Sequence, residues 1–125
     1  MGMEKINFRK LITKNGTIVL AGRNDESNES LVAQAGKDED VFHTKEAGSP
    51  FVNIKGEAKI GDTKEAAIFC AKYSRDWKKN KKDVEVHKFF GKDIHKESGM
   101  KAGTFSVKKF KVIKIKKVEI EKWQE

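Results

Sequence analysis

The side chains best suited to chemistry sit in two short polar stretches. In FHTKEAGSPFV, Phe42 to Val52, His43 and Ser49 lie between apolar, β-branched flanks. A histidine near a serine is the pairing a hydrolase or nuclease uses to activate a hydroxyl. Aspartates elsewhere keep a Ser/His/Asp arrangement open, but no serine has the glycine pattern of a nucleophile elbow. In GRNDESN, Gly22 to Asn28, the residues Arg23, Asn24 and Asn28 cluster where a helix is expected to begin. A helix start exposes unpaired backbone N–H groups and favours anions. The competing reading is plain capping by Asn24 or Asp25.

Further along, Ser74 and Trp77 stand one helical turn apart beside Arg75 and Lys78. Trp77 is either a core residue or a platform on which a base stacks. Lys108, Lys109, Lys111, Lys114, Lys116 and Lys117 either track a phosphate backbone or form a solvated face. His43, His87 and His95 lack metal-ligand spacing, and the single cysteine, Cys70, cannot build a thiolate zinc site. No phosphate-loop or G-x-G-x-x-G pattern occurs, so no cofactor is expected.

These residues need elements to hold them. Phe8–Lys14 and Thr17–Ala21 flank Asn15-Gly16, which predicts a hairpin with a type I′ turn. A short helix is expected over 26–35, stopped by Gly36. Strands are expected over 40–44 and 51–55. Asp62-Thr63-Lys64-Glu65 has the form of a capping box that opens a long helix to about Lys79. On it Ala66, Phe69, Cys70, Tyr73 and Trp77 share one face, so Cys70 reads as a buried small hydrophobe. Val84–Val86 starts another strand, and 95–103 is a loop. Residues 104–123 alternate as strands through Val118 and Ile120, with slips at 108–109, 112–113 and 116–117 that suggest bulges or turns. The class implied is α+β: a largely antiparallel sheet with one short and one long helix, in the order ββαββαβββ.

Length predicts one domain over residues 1–125. No apolar run approaches the ~20 residues of a membrane span, and MGMEKINFRK lacks a signal-peptide core. Gly2 does not open a myristoylation motif, because Ile6 stands where serine or threonine is needed. One cysteine fits a reducing compartment, so a cytoplasmic protein is expected. The net charge is +8 and unevenly placed. Residues 1–71 hold 10 Lys/Arg against 11 Asp/Glu, whereas residues 72–125 hold 17 against 8. A one-sided positive field points to a polyanion, with nucleic acid the leading candidate. Lysine supplies nearly all of it, Arg9, Arg23 and Arg75 being the only arginines. A lysine-rich solubilising surface is the alternative.

Taken in order, GRNDESNESLV, FHTKEAGSPFV, EAAIFCAKYSRDW and DIHKESGMKAGTFSV resemble the NFACT-R domain of ribosome quality-control proteins of the NEMF, RqcH and FbpA type. The four segments cover roughly two thirds of the chain. Each is weak alone, and the set is specific. The resemblance implies a non-enzymatic module that binds tRNA or ribosomal RNA, with the large ribosomal subunit as a further partner. It carries over Gly22, Arg23, Asn24, Asn28, His43, Gly48, Ser49, Ser74, Trp77, Lys96, Gly99 and Gly103 as motif positions. Thr44 stands where many members have alanine, and His95 where serine is common. No counterpart of the other NFACT domains is read here, so the tail-elongating activity is not carried over. A stand-alone domain is expected. In this reading the four polar segments gather on one rim of the sheet, with Lys109 and Lys111 adding phosphate contacts. The alternatives are a nuclease or hydrolase using the His43/Ser49 loop, and a protein adaptor to the ribosome. The oligomeric state stays open.

Overall fold

The computed structural model describes residues 7–125; the leader and myristoylation readings of residues 1–6 lie outside them. The fold is α+β with a mostly antiparallel sheet. Its strands are β1 (Arg9–Ile12), β2 (Ile18–Ala21), β3 (Asp40–Thr44), β4 (Val52–Ile54), β5 (Val84–Phe90) and β8 (Lys111–Ile115), in the order β1-β2-β4-β3-β5-β8. A separate two-stranded ribbon joins β6 (Ile94–His95) to β7 (Ser106–Val107). The helices are α1 (Asp25–Gln34), α2 (Asp62–Lys72), α3 (Arg75–Asn80) and α4 (Lys117–Lys122).

Strand alternation sends side chains to two cores. Phe42, Val52, Val84, Val86 and Ile115 face α2, α3 and α4 in the larger one. Val41, Phe51 and Phe89 meet Leu31 of α1 on the opposite face, with Phe105 and Val107 packed beside them. Cys70 is fully buried, as the helix periodicity predicts, and burial pushes its thiol up to about 12.

Several expectations are corrected. The Asn15-Gly16 hairpin forms, but only Gly16 has positive φ, at 84°. Thr13 and Thr17 close a three-residue loop, with the Thr13 N–H donating to Thr17 O at 2.9 Å. This is a type I turn with a glycine bulge rather than type I′. The chain leaves α1 at Ala35, which is extended, not at a left-handed Gly36. Asp62 is not an N-cap: Gly61 holds that position, and Asp62 is buried inside the first turn. It accepts from the Lys59 N–H at 2.9 Å and the Asn15 amide at 3.0 Å, pinning α2 to the first hairpin.

The long helix is broken. Ser74 Oγ donates to Ala71 O at 2.7 Å and accepts from the Trp77 N–H at 3.1 Å, ending α2 and capping α3 in one side chain. The last expected strand is α4. The Glu119 carboxylate accepts from the Lys116 N–H at 2.9 Å, and Ile120 enters the core while Val118 stays exposed. The slips at 108–109 and 116–117 mark real breaks, whereas 112–113 lies within β8.

Candidate nucleic-acid interface

The first polar segment is fixed by side-chain caps. Asn24 Oδ1 accepts from the Ser27 N–H at 2.8 Å, while Ser27 Oγ accepts from the N–H groups of Asn24 at 2.9 Å and Arg23 at 2.6 Å. This reciprocal capping box orders the Arg23 backbone before α1 begins. Asn28, one turn on, is buried and accepts from the Phe51 N–H at 3.0 Å. A Cβ at Gly22 would lie 2.0 Å from Asn28 Oδ1, so only glycine lets the two segments close.

The second segment turns against α3. Gly48 adopts φ of 87°, and its carbonyl accepts from the Arg75 N–H at 2.9 Å. A Cβ there would sit 2.9 Å from that of Arg75, so the turn needs glycine for conformation and space. Ser49 is buried. Its hydroxyl accepts from the Thr44 N–H at 3.1 Å and donates to Pro50 O at 2.8 Å. Among the described residues no hydrogen bond joins it to His43. Instead His43 Nδ1 lies 2.7 Å from Thr44 O, which fixes the proton on Nδ1. Burial holds His43 below the ordinary histidine range.

Between these segments lies a cleft of about 290 Å³ lined by Arg23, Asn24, Asn28, Gly48 and Ser49. The rest of its lining includes Arg9, Tyr73, Arg75 and Lys78. All three arginines of the chain therefore meet in one place. The Arg9 guanidinium lies 4.1 Å over the Tyr73 ring, whose hydroxyl donates to Glu125. Among the described residues, none of the three arginines nor Lys78 is in a salt bridge. Among the described residues, Asp25 is the one acid in the lining.

Across the Gly48–Ser49 turn a second cavity, of about 530 Å³, opens on the sheet face that α1 leaves uncovered. His43 and His87, paired across β3 and β5, lie in its lining together with Phe51, Phe105 and Phe110. Asp25, Asn28, Gly48, Ser49 and Arg75 line both spaces. Arg23, Asn24, Asn28, His43, Gly48 and Ser49 are thus gathered on one rim.

The remaining expected residues stand elsewhere. Ser74 is wholly buried as the α3 cap, and Trp77 is only 5% exposed, with Lys81 over its ring. Lys96 donates to Glu29 at 3.0 Å and to the carbonyls of Lys101 and Thr104, spending its three protons on bracing the 96–105 loop. The Gly103 N–H and Lys96 together hold Glu29 below its ordinary value. Lys109 and Lys111 are exposed but line neither space. Arg9 belongs to the cleft with no motif to single it out, and Arg75, noted only as a neighbour of Ser74 and Trp77, belongs to it too. Their rarity in a lysine-rich chain is the signal that could have found them.

The family model for the NFACT protein RNA binding domain matches residues 6–109. This chain belongs to the NFACT RNA-binding domain family. The archaeal Rqc2 homolog aRqcH of Methanocaldococcus jannaschii is 33% identical over 102 residues, 75% of this chain and 15% of that protein. The C-terminal part of the fibronectin/fibrinogen-binding protein from Streptococcus suis has the same fold, with a TM-score of 0.80 and 26% identity. That match covers 96% of this chain and 49% of the solved one. The NFACT domain described here thus spans only part of the length of either relative. Among the described residues, no helix is long and apolar enough to cross a membrane.

Proposed function

We propose that this domain binds structured RNA, either tRNA or ribosomal RNA, as a non-catalytic module of ribosome quality control that docks on the large subunit. The observation that carries the reading is the meeting of Arg9, Arg23 and Arg75 with Lys78 in one cleft, none of them ion-paired among the described residues. Guanidinium forks match phosphate oxygens bidentately, which lysine cannot do, so three rare arginines in one place suit a fixed phosphate. The capping box and the Gly48 turn hold the cleft in shape before any ligand arrives, which lowers the ordering cost of binding. Exposed lysines such as Lys109 and Lys111 add longer-range attraction. Membership in the NFACT family and the likeness to an Rqc2 homolog support the setting.

Fluorescence-anisotropy titrations with tRNA and with a ribosomal RNA fragment, repeated at several salt concentrations, test the proposal. If ~4–6 phosphates are neutralised, log K against log salt should slope by roughly −3 to −5. Absence of binding at micromolar protein in low salt would refute it. Equal affinity for duplex DNA would reduce the domain to a nonspecific polycation.

A further inference from the structure

The second cavity differs in chemistry from the arginine cleft it adjoins. Phe51, Phe89, Phe105 and Phe110, with the rings of His43 and His87, form an aromatic part of its wall. Phe110 stacks on His87 with ring centroids 4.0 Å apart and planes within 14°, and Phe110 is still 43% exposed. Phe51 holds His43 at 4.5 Å and meets Phe105 edge-on at 5.4 Å. An exposed aromatic ring already ordered by a stacked partner is a surface on which a further flat ring can settle.

Polar side chains, the Asp25 carboxylate among them, line the rest of the cavity. With its proton on Nδ1 and given to Thr44 O, His43 offers Nε2 as an acceptor. His43 lines the cavity, and among the described residues its Nε2 has no hydrogen-bond partner and is not fully buried, which leaves it open to a donor. Lys45 and Lys101 add positive charge to the lining, and Arg75 is shared with the arginine cleft. One space therefore suits phosphate, the next suits a flat ring carrying an N–H, and the two are continuous through Arg75. A volume of about 530 Å³ falls within the range of small-molecule sites.

We infer that this cavity takes one unstacked nucleobase of the RNA whose phosphates occupy the arginine cleft, the base stacking at Phe110 and donating an N–H to His43 Nε2. The inference rests on the RNA reading above. A paired and stacked base cannot enter, so the nucleotide comes from a loop, bulge or single-stranded end. The domain then recognises RNA by the combination of a phosphate path and one extruded base, not by charge alone.

The test uses three synthetic hairpin RNAs: one with a single bulged adenosine, its fully paired counterpart, and the bulged hairpin with an abasic ribose at the bulge. Binding of the whole chain is followed by anisotropy. The bulged RNA should bind about tenfold more tightly than the paired or abasic ones, equivalent to roughly 1.4 kcal/mol. Phe110→Ala should abolish that tenfold difference while leaving affinity for the abasic RNA unchanged. Arg23→Ala should weaken all three alike. Equal binding of bulged and abasic RNA by the unmodified protein would overturn the inference while leaving the phosphate cleft standing. So would a Phe110→Ala loss of the same size on both. Failure of all three RNAs to bind in low salt would overturn the RNA reading itself and the base pocket with it.

Discussion

Arg23 and Arg75 enter the cleft from different elements, and polar contacts fix their backbones. The Arg23 N–H donates to Ser27 Oγ, and the Arg75 N–H donates to Gly48 O. Exposed guanidinium groups on a fixed backbone lose less freedom on meeting phosphate than lysines on mobile stems. Arg23→Ala should therefore reduce RNA affinity by about 1–3 kcal/mol. Lys111→Ala, on the open edge strand, should lose less and lower the salt slope by about one. Anisotropy titrations of both variants across salt distinguish a defined cleft from a diffuse field, since equal small losses would indicate only the latter. Gly48→Ala tests the shape of the same cleft. It combines a positive φ with a Cβ pressed on Arg75, so it should cost about 1 kcal/mol or more in folding and weaken RNA binding beyond that. Chemical denaturation of the variant alongside its titration reads both effects.

Two short helices show how elements deliver those residues. The apolar face from Ala66 to Trp77 continues without interruption in the sequence, and periodicity alone reads it as one helix. The break at Ser74 comes from a single buried hydroxyl that bonds both ways, and the pattern of apolar residues cannot reveal it. The break turns Arg75 toward Gly48 instead of continuing the α2 axis. Ser74→Ala should therefore destabilise the fold by about 1–2 kcal/mol as a lost cap, and lower RNA affinity although Ser74 lines neither cavity. Thermal unfolding and titration of this variant check both; an unchanged affinity would separate the α3 start from the cleft. At the C-terminus, Val118 and Ile120 fit a strand as well as a helix over so short a span. Burial of Ile120 against α2 and capping by Glu119 decide for α4. The hairpin, β3, β4 and the α1 start were legible because turn glycines, caps and β-branched alternation are local signals. Arg9 was not, and the meeting of Arg75 and Lys78 with Arg23 was not, because sheet order and the α2–α3 bend bring them together over long sequence separation.

The whole molecule is tied together by two carboxylates whose protonation should loosen it. Asp62 joins the α2 start to the first hairpin. Burial alone would raise it, but the Thr17 hydroxyl, the Lys59 N–H, the Asn15 amide and the Thr13 hydroxyl outweigh that and hold it at about 2. Glu39 joins the end of α1 to the exit of β4. Burial again pushes upward, and the Lys55 ammonium with the N–H groups of Gly56 and Gly36 outweighs it, to about 2. Both values lie below the ordinary 3.8 and 4.5. In acid the unfolded chain therefore takes up these protons before the folded one does, and stability rises with pH wherever the unfolded state binds more protons. The stabilisation is complete above about pH 5 and is lost as pH falls towards 2. His43, held below its ordinary 6.5 by burial, acts in the same direction, with its share lost as pH drops below that value. Thermal unfolding followed by circular dichroism from pH 7 to pH 2 should show a falling midpoint, steepest between about pH 4.5 and 2. Asp62→Asn keeps the size of the side chain but removes the titrating group. At neutral pH it should cost about 1–3 kcal/mol, because charge-assisted acceptance from buried donors is weakened. It should also flatten the acid limb relative to the unmodified chain. An acid limb identical in Asp62→Asn and the parent would show that Asp62 does not couple the hairpin to α2 through its charge.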